Sequence, residues 1–381
     1  MNSLELFCGA GGLALGLERA GFRHRALIEW DKDSCANITS NISHGYRPIK
    51  KWNVINADVR DIDYSEFSDV ALISGGPPCQ PFSLGGKAKG NEDKRDMFPE
   101  AVRAVRELQP RAFIFENVKG LLRRSFSSYF SYILLQLQHP EVTRPKGKNW
   151  EEHLAVLEKH HTAHHKNELR YNVVFRLVNA ADYGVPQQRH RVIIVGFRDD
   201  IEARWSFPDP THSKEALQYA QWVTGEYWER HNLPKPDDVE LSSTPRLFDN
   251  PPASKPWVTV RDAISDLPDP STHSISYPTN HEFTGVGKQY VGHSGSSLDA
   301  PSKTIKAGAH GVPGGENMVI LDDGSQRYYT VRESARIQTF PDDYSFYGSR
   351  TENMRQIGNA VPVALAEIIG HSVYRHLRSV K

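Results

Sequence analysis

Short apolar runs alternate with longer amphipathic segments along the first part of the chain. Such alternation is typical of a parallel sheet with helices on both faces, because each parallel strand needs a crossover before the next. The pattern predicts strands at residues 4–7, 26–30, 54–57, 70–74 and 112–116, and helices at 13–20, 32–42, 97–108 and 121–137. Later apolar runs at 173–178 and 192–197 predict further strands of the same sheet. We therefore expect an α/β fold with a doubly wound, mostly parallel sheet.

A hydrophilic insertion at 139–170 contains the histidines His160, His161, His164 and His165. Histidine clusters can bind metal ions, but neither cysteine nor suitably spaced acidic residues accompany these four in the sequence pattern. The insertion is therefore expected to form an exposed helix, and the sequence assigns no metal site.

The character of the sequence changes after Arg198. Residues 207–323 are rich in Pro, Gly, Ser and Thr and show little periodicity, which is typical of an irregular, loop-dominated domain. Regular patterns return at 331–340, and apolar residues at helical spacing predict a closing helix at 363–377 that packs back on the first domain. We expect a first domain at 1–206, a second, smaller domain at 207–330, and a return to the first domain at 331–381.

Composition and charge exclude several classes of protein. The chain has 46 Lys and Arg against 46 Asp and Glu, so it is not a polybasic nucleic-acid binder. Its three cysteines cannot form a disulfide framework, and they lack the spacing of a zinc site. Neither a signal peptide nor an apolar run long enough to span a membrane is evident. These features favour a cytoplasmic protein.

A glycine-rich turn follows the first predicted strand, in the sequence Cys8-Gly9-Ala10-Gly11-Gly12. Glycines there let the backbone turn tightly beside a ligand, while the next helix offers free N–H groups. Glu29 ends the second strand, where such folds bind ribose hydroxyls, and Trp30 beside it could stack on a base. Asp58, after the third strand, is a second candidate for contact with adenine. This pattern is compatible with NAD, FAD, S-adenosylmethionine or simple packing.

The fourth strand runs into Gly75-Gly76-Pro77-Pro78-Cys79, at the edge where open α/β sheets place their active sites. A lone cysteine is usually a buried structural residue, but the surrounding Gly and Pro favour an exposed nucleophile. Glu116 ends the neighbouring strand and is expected near Cys79. Alternation along the strand at 192–197 would place Arg189 and Arg191 on one face, as two cations at one site.

In order along the chain, these motifs resemble those of the bacterial DNA (cytosine-5) methyltransferases. The matching segments are FCGAGG, EWD, AD, GGPPCQPFS, ENV, QQRHR, RESARIQTFPDD and GNAVPV. The resemblance implies the fold of S-adenosylmethionine-dependent methyltransferases, with a target-recognition domain in the irregular stretch 207–330. It also implies transfer of a methyl group from S-adenosylmethionine to carbon 5 of a flipped-out cytosine in duplex DNA, through a covalent cysteine adduct.

The same resemblance assigns roles to individual residues. Cys79 would attack carbon 6 of cytosine, Glu116 would donate a proton to ring nitrogen 3, and Arg191 would bind the carbonyl oxygen of the base, with Arg189 supporting the loop or a phosphate. Gln80, Ser83 and Arg189 would contact DNA, with Gly85 and Gly86 as a hinge. The implied cofactor contacts are Phe7, Gly9, Gly11, Gly12, Leu13, Glu29, Trp30, Asp58, Val59, Pro78, Met97, Asn359 and Ala360.

The partners implied are double-stranded DNA and, in the commonest setting of the family, a restriction endonuclease for the same site; a monomer without membrane contact is expected. An RNA cytosine-5 methyltransferase of the same fold is one alternative, although the segment from Gln80 to Ser83 resembles the DNA enzymes. An inactive DNA-binding homologue is another, but such a protein would be expected to have lost Cys79 or Glu116. A nicotinamide oxidoreductase would leave the Pro-Cys and Glu-Asn-Val segments unexplained.

Overall fold

The computed structural model describes residues 1–78, 96–163, 168–201, 204–236, 250–272, 279–287, 295–307 and 317–380. The chain divides into two compact units. The first unit comprises Met1–Val178, His190–Phe207 and Ala366–Lys381, and the second comprises Asn179–Arg189 and Pro208–Leu365. Between Phe207 and Pro208 the chain passes from the first unit into the second. Assignment of 207–330 to target recognition, with a return to the catalytic domain at 331, remains a prediction.

A seven-stranded sheet in the order β3-β2-β1-β4-β5-β7-β6 organises the first unit. Its strands are β1 Asn2–Leu6, β2 Arg23–Glu29, β3 Val54–Asn56, β4 Leu72–Gly75, β5 Ala112–Val118, β6 Tyr171–Asn179 and β7 His190–Arg198. The seven strands expected from the apolar runs are all present, and the α/β fold class is confirmed. Strands β1 to β5 pair in parallel, whereas β7 is antiparallel to β5.

Helices connect these strands, and local signals fix where they begin and end. Helix α1 lies between Gly11 and Gly21, both in the left-handed conformation, and α2 is capped by Asp31, whose side chain accepts from the amide of Ser34. The helices of this part of the chain are α1 Gly12–Ala20, α2 Lys32–Ser43, α3 Phe98–Leu108, α4 Ser127–Gln138 and α5 Trp150–Thr162. The helix expected from residue 121 begins later, because extended Arg123 separates two single 3₁₀ turns before it.

The core of the first unit lies on both faces of the central strands. Leu4, Ile73 and Phe113 are completely buried, as expected for a sheet covered by helices on both sides. Strand β7 approaches β5 closely at Gly196, where a Cβ atom would lie 2.1 Å from the ring of Phe113. The absence of a side chain at this position therefore lets β7 pair along the whole length of β5.

The second unit is built from short elements, as the irregular sequence predicts. It contains a three-stranded sheet in the order β10-β11-β12 and a β8–β9 pair. Its strands are β8 His212–Ser213, β9 Lys255–Pro256, β10 Ser296–Ser297, β11 Met318–Ile320 and β12 Gln326–Tyr328, and its helices are α6 Lys214–Gln218, α7 Glu226–Arg230, α8 Val260–Ile264, α9 Val331–Ile337 and α10 Arg350–Asn359. Helix α10 was not anticipated from the apolar pattern, because its sequence is predominantly polar.

The last helix, α11, spans Val363–Ser379. From Ala366 onward it belongs to the first unit, where it packs on α1: Gly370 lies against Leu17 and Ala20, and a Cβ at Gly370 would be 2.7 Å from the side chain of Leu17. The expected closing helix is therefore confirmed, together with its packing on the first part of the chain. Among the described residues, the helices are too short or too polar to cross a membrane.

Arg189 lies outside β7, in the second unit, and is completely buried. Its guanidinium donates to the carbonyl oxygens of Gly358 at 2.6 Å, Ala360 at 3.0 Å and Ile305 at 3.0 Å. Two of these acceptors lie at the carboxyl end of α10, where carbonyls lack partners within the helix. This geometry corrects the expectation that Arg189 pairs with Arg191 as a second cation. Of the two roles implied by the resemblance, support of a loop agrees with these bonds, whereas a buried guanidinium is unsuited to contact phosphate. Arg189 is therefore a packing residue.

We predict that Arg189→Lys lowers the free energy of unfolding by about 2–4 kcal/mol, because an ammonium cannot reproduce the fork of bonds to three buried carbonyls. Urea denaturation measures the change, with Arg25→Lys on the exposed side of β2 as the matched control. Weaker DNA binding by a variant of unchanged stability would contradict the packing role.

Candidate active site

The glycine-rich turn after β1 has the backbone conformation that its sequence requires. Gly9 and Gly11 have φ angles of 52° and 77°, in the left-handed region that favours glycine. A Cβ at Gly11 would lie 3.1 Å from the ring of Trp52, whereas a Cβ at Gly9 would have no described atom within 4 Å. The turn is therefore packed on one side and open beside Gly9, which leaves room for a ligand next to the backbone. Gly12 and Leu13 are buried at the start of α1.

The carboxylate of Glu29 connects this turn to the end of β2. It accepts from the amide of Gly9 at 2.9 Å and from that of Asp31 at 2.9 Å. Burial raises the pKa of Glu29, and hydrogen bonds from the backbone amides of Asp31, Gly9 and Trp30 oppose that effect. A carboxylate offers about four acceptor positions, so the backbone amides leave room for a hydroxyl of a ribose. Glu29 therefore fits the sugar-binding role expected for it.

Trp30 and Asp58 occupy different environments. The Trp30 side chain is 71% exposed, which is unusual for so large an apolar group and leaves its ring face available for stacking. Asp58 accepts from Arg60 Nε at 2.9 Å, and this interaction lowers the pKa of Asp58. The Asp58 carboxylate is already paired with the guanidinium of Arg60, so it would have to bind adenine while it keeps that contact. Val59 is buried, and its carbonyl accepts from Arg103 at 2.6 Å.

The remaining cofactor candidates lie in three places. Met97 is buried and donates its amide to the carbonyl of exposed Pro78 at 3.2 Å. Phe7 follows β1 with a φ of 56°. Asn359 and Ala360 belong to the second unit, at the end of α10, with Asn359 exposed and Ala360 buried. Cys79, Gln80 and Ser83, together with Gly85 and Gly86, lie outside the described residues.

Glu116 and Arg191 meet at the carboxyl edge of the sheet. Arg191 Nε lies 2.6 Å from Glu116 Oε1, and both side chains are nearly buried. In the antiparallel register Arg191 faces Val118, so it lies diagonally across from Glu116. The N–H of Arg191 is not directed at Oε1, so the contact is an ion pair rather than an aligned hydrogen bond. The structure thus brings together a carboxyl group and a guanidinium at one site.

The segment leading to Cys79 is fixed against the same strand. Asn117 Nδ2 donates to the carbonyl of Pro77 at 3.0 Å, and a Cβ at Gly76 would lie 3.4 Å from Glu116 Oε2. The end of β4 therefore reaches Glu116 itself. Asn117 belongs to the Glu-Asn-Val segment, for which the sequence pattern predicts a role only at Glu116. An amide side chain next to the acid is the sequence feature that indicates such a role, because it can donate a hydrogen bond to a backbone carbonyl of a neighbouring loop.

Comparison with known proteins agrees with these features. A model of the family described as C-5 cytosine-specific DNA methylase matches residues 1–140 and 153–375. The Type II methyltransferase M.NgoMIV of Neisseria gonorrhoeae is 31% identical over 99% of this chain and 98% of its own length. M.PspPI of a Psychrobacter strain, also a Type II methyltransferase, is 35% identical over 99% of this chain and 79% of its own.

Solved structures show the same fold. The Dnmt2 methyltransferase of S. pombe matches with a TM-score of 0.57 at 16% identity, over 100% of this chain and 99% of that one. The family match extends over both compact units and includes the motifs that form the turn after β1 and the Glu116 site. The chain therefore belongs to the C-5 cytosine-specific DNA methylases and is a DNA cytosine-5 methyltransferase.

Proposed function

We propose that this enzyme methylates carbon 5 of one cytosine within a specific sequence of duplex DNA, through a covalent adduct with Cys79. The observation that carries the proposal is the contact between Glu116 and Arg191 beside the Gly76-Pro77 segment that leads to Cys79. An acid, a cation and a candidate nucleophile are the three groups that attack on a cytosine ring requires.

The chemistry follows from the weak nucleophilicity of cytosine at carbon 5. Addition of the Cys79 thiolate to carbon 6 forms an S–C bond and transfers electron density to carbon 5 and ring nitrogen 3. Carbon 5 then takes the methyl group, a base removes the proton from carbon 5, and the S–C bond breaks. The ring is aromatic again and Cys79 regains its thiolate. Thiolate suits both steps because it is a strong nucleophile and a good leaving group.

Glu116 and Arg191 have complementary parts in this reaction. Ring nitrogen 3 and the carbonyl oxygen at carbon 2 are adjacent on cytosine, so two side chains in contact with each other can each address one of them. In the reaction the acid form of Glu116 donates a proton to nitrogen 3 as electron density reaches it, and recovers that proton when the S–C bond breaks, while Arg191 binds the carbonyl oxygen. Their burial strengthens both interactions, because little water competes for the charges.

The residues of the first unit fit S-adenosylmethionine. When bound, this cofactor supplies an electrophilic methyl group. Glu29 has acceptor positions left for the ribose, the exposed ring of Trp30 offers a stacking face for adenine, and the open side of Gly9 admits a ligand next to the backbone. The proposed set in this unit is completed by Phe7, Gly11, Gly12, Leu13, Asp58, Val59, Pro78 and Met97. For Asn359 and Ala360 a cofactor contact stays a prediction from the resemblance.

A cytosine inside a duplex cannot reach such groups, so the proposal includes flipping of the target base out of the helix. Gln80 and Ser83 would contact the DNA, and residues 207–330 would recognise the sequence. Because the similar M.NgoMIV and M.PspPI are Type II methyltransferases, we also propose a restriction endonuclease for the same sequence as functional partner. The enzyme would act on DNA in the cytoplasm as a monomer.

Expression in a host without cytosine-5 methylation tests the proposal directly. We expect bisulfite sequencing to show protected cytosines at one short DNA sequence. Cys79→Ser should abolish protection while gel-shift binding to DNA persists, because serine is a much weaker nucleophile. Cys35→Ser is the matched control, since Cys35 donates to the carbonyl of Glu29 at 3.3 Å and a hydroxyl can do the same.

Methylated cytosine in DNA from the Cys79→Ser culture would overturn the covalent mechanism. Methylation confined to RNA would contradict duplex DNA as the substrate.

Glu116→Gln is predicted to slow single-turnover methyl transfer by about 10²–10⁴-fold, because an amide cannot donate a proton as an acid does. Binding of S-adenosylmethionine, followed by titration calorimetry, should change little. Glu107→Gln on the exposed side of α3 serves as control. Equal losses in cofactor affinity and rate would place Glu116 in the cofactor pocket instead.

Trp30→Ala should weaken binding of S-adenosylmethionine by about 5- to 150-fold, since stacking on a base contributes about 1–3 kcal/mol. Trp30→Phe keeps a ring face and is expected to retain most of the affinity. The dissociation constants of both variants can be compared by calorimetry. An alanine variant with unchanged affinity would remove Trp30 from the site.

A further inference from the structure

Three potential metal ligands from separate segments meet within the first unit. They are His139 at the end of α4, His160 in the last turn of α5, and Glu168 shortly before β6. One ligand atom of each lies within 4.8 Å of the others. Glu168 is an acidic companion that the sequence pattern did not reveal, and His139 is buried rather than exposed. The insertion does contain a largely exposed helix, α5, as the sequence predicts, but the end of that helix also meets a buried histidine and an acidic residue.

The distance between one pair of these donor atoms matches the distance between two ligand atoms of a zinc ion. His139 Nδ1 lies 3.2 Å from Glu168 Oε1. Ligand atoms about 2.0–2.1 Å from a tetrahedral zinc ion lie about 3.3 Å apart, so this pair already has the required separation. His160 Nε2 contacts Glu168 Oε2 directly, and that hydrogen bond would be replaced by bonds to the metal.

His139 is the buried group that is aimed into this cluster. The side chain is only 2% exposed, and Nδ1 has no hydrogen-bond partner among the described residues, since its contact with Glu168 is poorly directed. A buried ring nitrogen without a hydrogen bond costs free energy, whereas a metal ion would use its lone pair. This nitrogen is thus placed to ligate.

Supporting interactions fix the orientation of the ligands. His161 Nδ1 lies 2.9 Å from His139 Nε2. When His139 donates from Nε2 to His161, the lone pair of His139 is at Nδ1, the side that faces Glu168. The Glu141 carboxylate accepts from the amide of Leu169 at 3.0 Å and so fixes the backbone next to Glu168. Metal ligands are commonly oriented by partners of this kind.

We propose that His139, His160 and Glu168 bind one zinc ion, with water in the fourth position. Imidazole and carboxylate donors suit this metal, and the partly exposed His160 and Glu168 admit water. The ion would connect the ends of α4 and α5 to the start of β6, the edge strand of the sheet. Its role would be to stabilise the insertion at 139–170, apart from methyl transfer. His164 and His165 lie outside the described residues and are not assigned as ligands.

The test uses full-length protein without a histidine tag, stripped with a chelator. Calorimetric titration with ZnCl₂ should show one ion per chain and a raised midpoint of thermal unfolding. CoCl₂ should give the intense visible bands of a four-coordinate ion. Glu168→Gln is expected to lower zinc affinity by about 100-fold, because loss of even a supporting contact costs about 10–100-fold. His161→Ala should cost about tenfold.

Glu158→Gln, an exposed residue of the same helix, is the matched control and should bind zinc as the parent does. Thermal unfolding of the metal-free variants, measured in the presence of chelator, shows whether a variant has lost zinc binding or has failed to fold. If Glu168→Gln does not fold, His160→Gln replaces it. Absence of stoichiometric binding, an octahedral cobalt spectrum, or equal affinities in Glu168→Gln and Glu158→Gln would overturn the proposal.

Discussion

The antiparallel pairing of β7 with β5 is the constraint on which the contact between Glu116 and Arg191 depends. The parallel strands β1, β4 and β5 all end at one edge of the sheet. A parallel β7 would begin at the opposite edge, and a residue at its start could not approach the end of β5. Because β7 is reversed, its first residues lie beside the last residues of β5, with Arg191 opposite Val118. Glu116 and Arg191 can therefore meet although they are far apart in sequence.

That meeting has an energetic consequence. Each charge of a buried pair has lost hydration that the partner must offset, so removal of one partner leaves an uncompensated charge in the protein. Gly76 and Asn117 add to the constraint: the first leaves space beside Glu116, and the second ties Pro77 to β5. The acid, its cation and the end of β4 therefore form one packed group, in which the orientation of each member depends on the others.

The sequence reveals this arrangement only in part. Apolar runs predict all seven strands of the sheet, including the edge strand β6, whose apolar residues Val174, Phe175 and Leu177 are exposed. Such runs do not reveal the direction of a strand, so they do not predict that β7 is antiparallel to β5. The same limit explains Arg189. Alternation predicts a shared face for Arg189 and Arg191 only within a strand, and β7 begins at His190. The approach of Glu168 to His139 and His160 depends on tertiary packing, which spacing along the chain cannot show.

The net charge of zero conceals an uneven distribution of charged residues along the chain. Residues 200–330 contain 11 Lys and Arg against 18 Asp and Glu, so this region is acidic overall. Several of its arginines also have carboxylate partners: Arg261 contacts Asp299 at 2.6 Å and Asp322 at 2.5 Å, and Arg327 contacts Glu333 at 2.6 Å. A phosphate would have to compete with these carboxylates. Since nonspecific affinity for DNA comes from cations that neutralise phosphates, we expect that attraction to come mainly from other parts of the chain. The acidic region would then contribute through contacts with base edges, which give specificity without bulk electrostatic attraction.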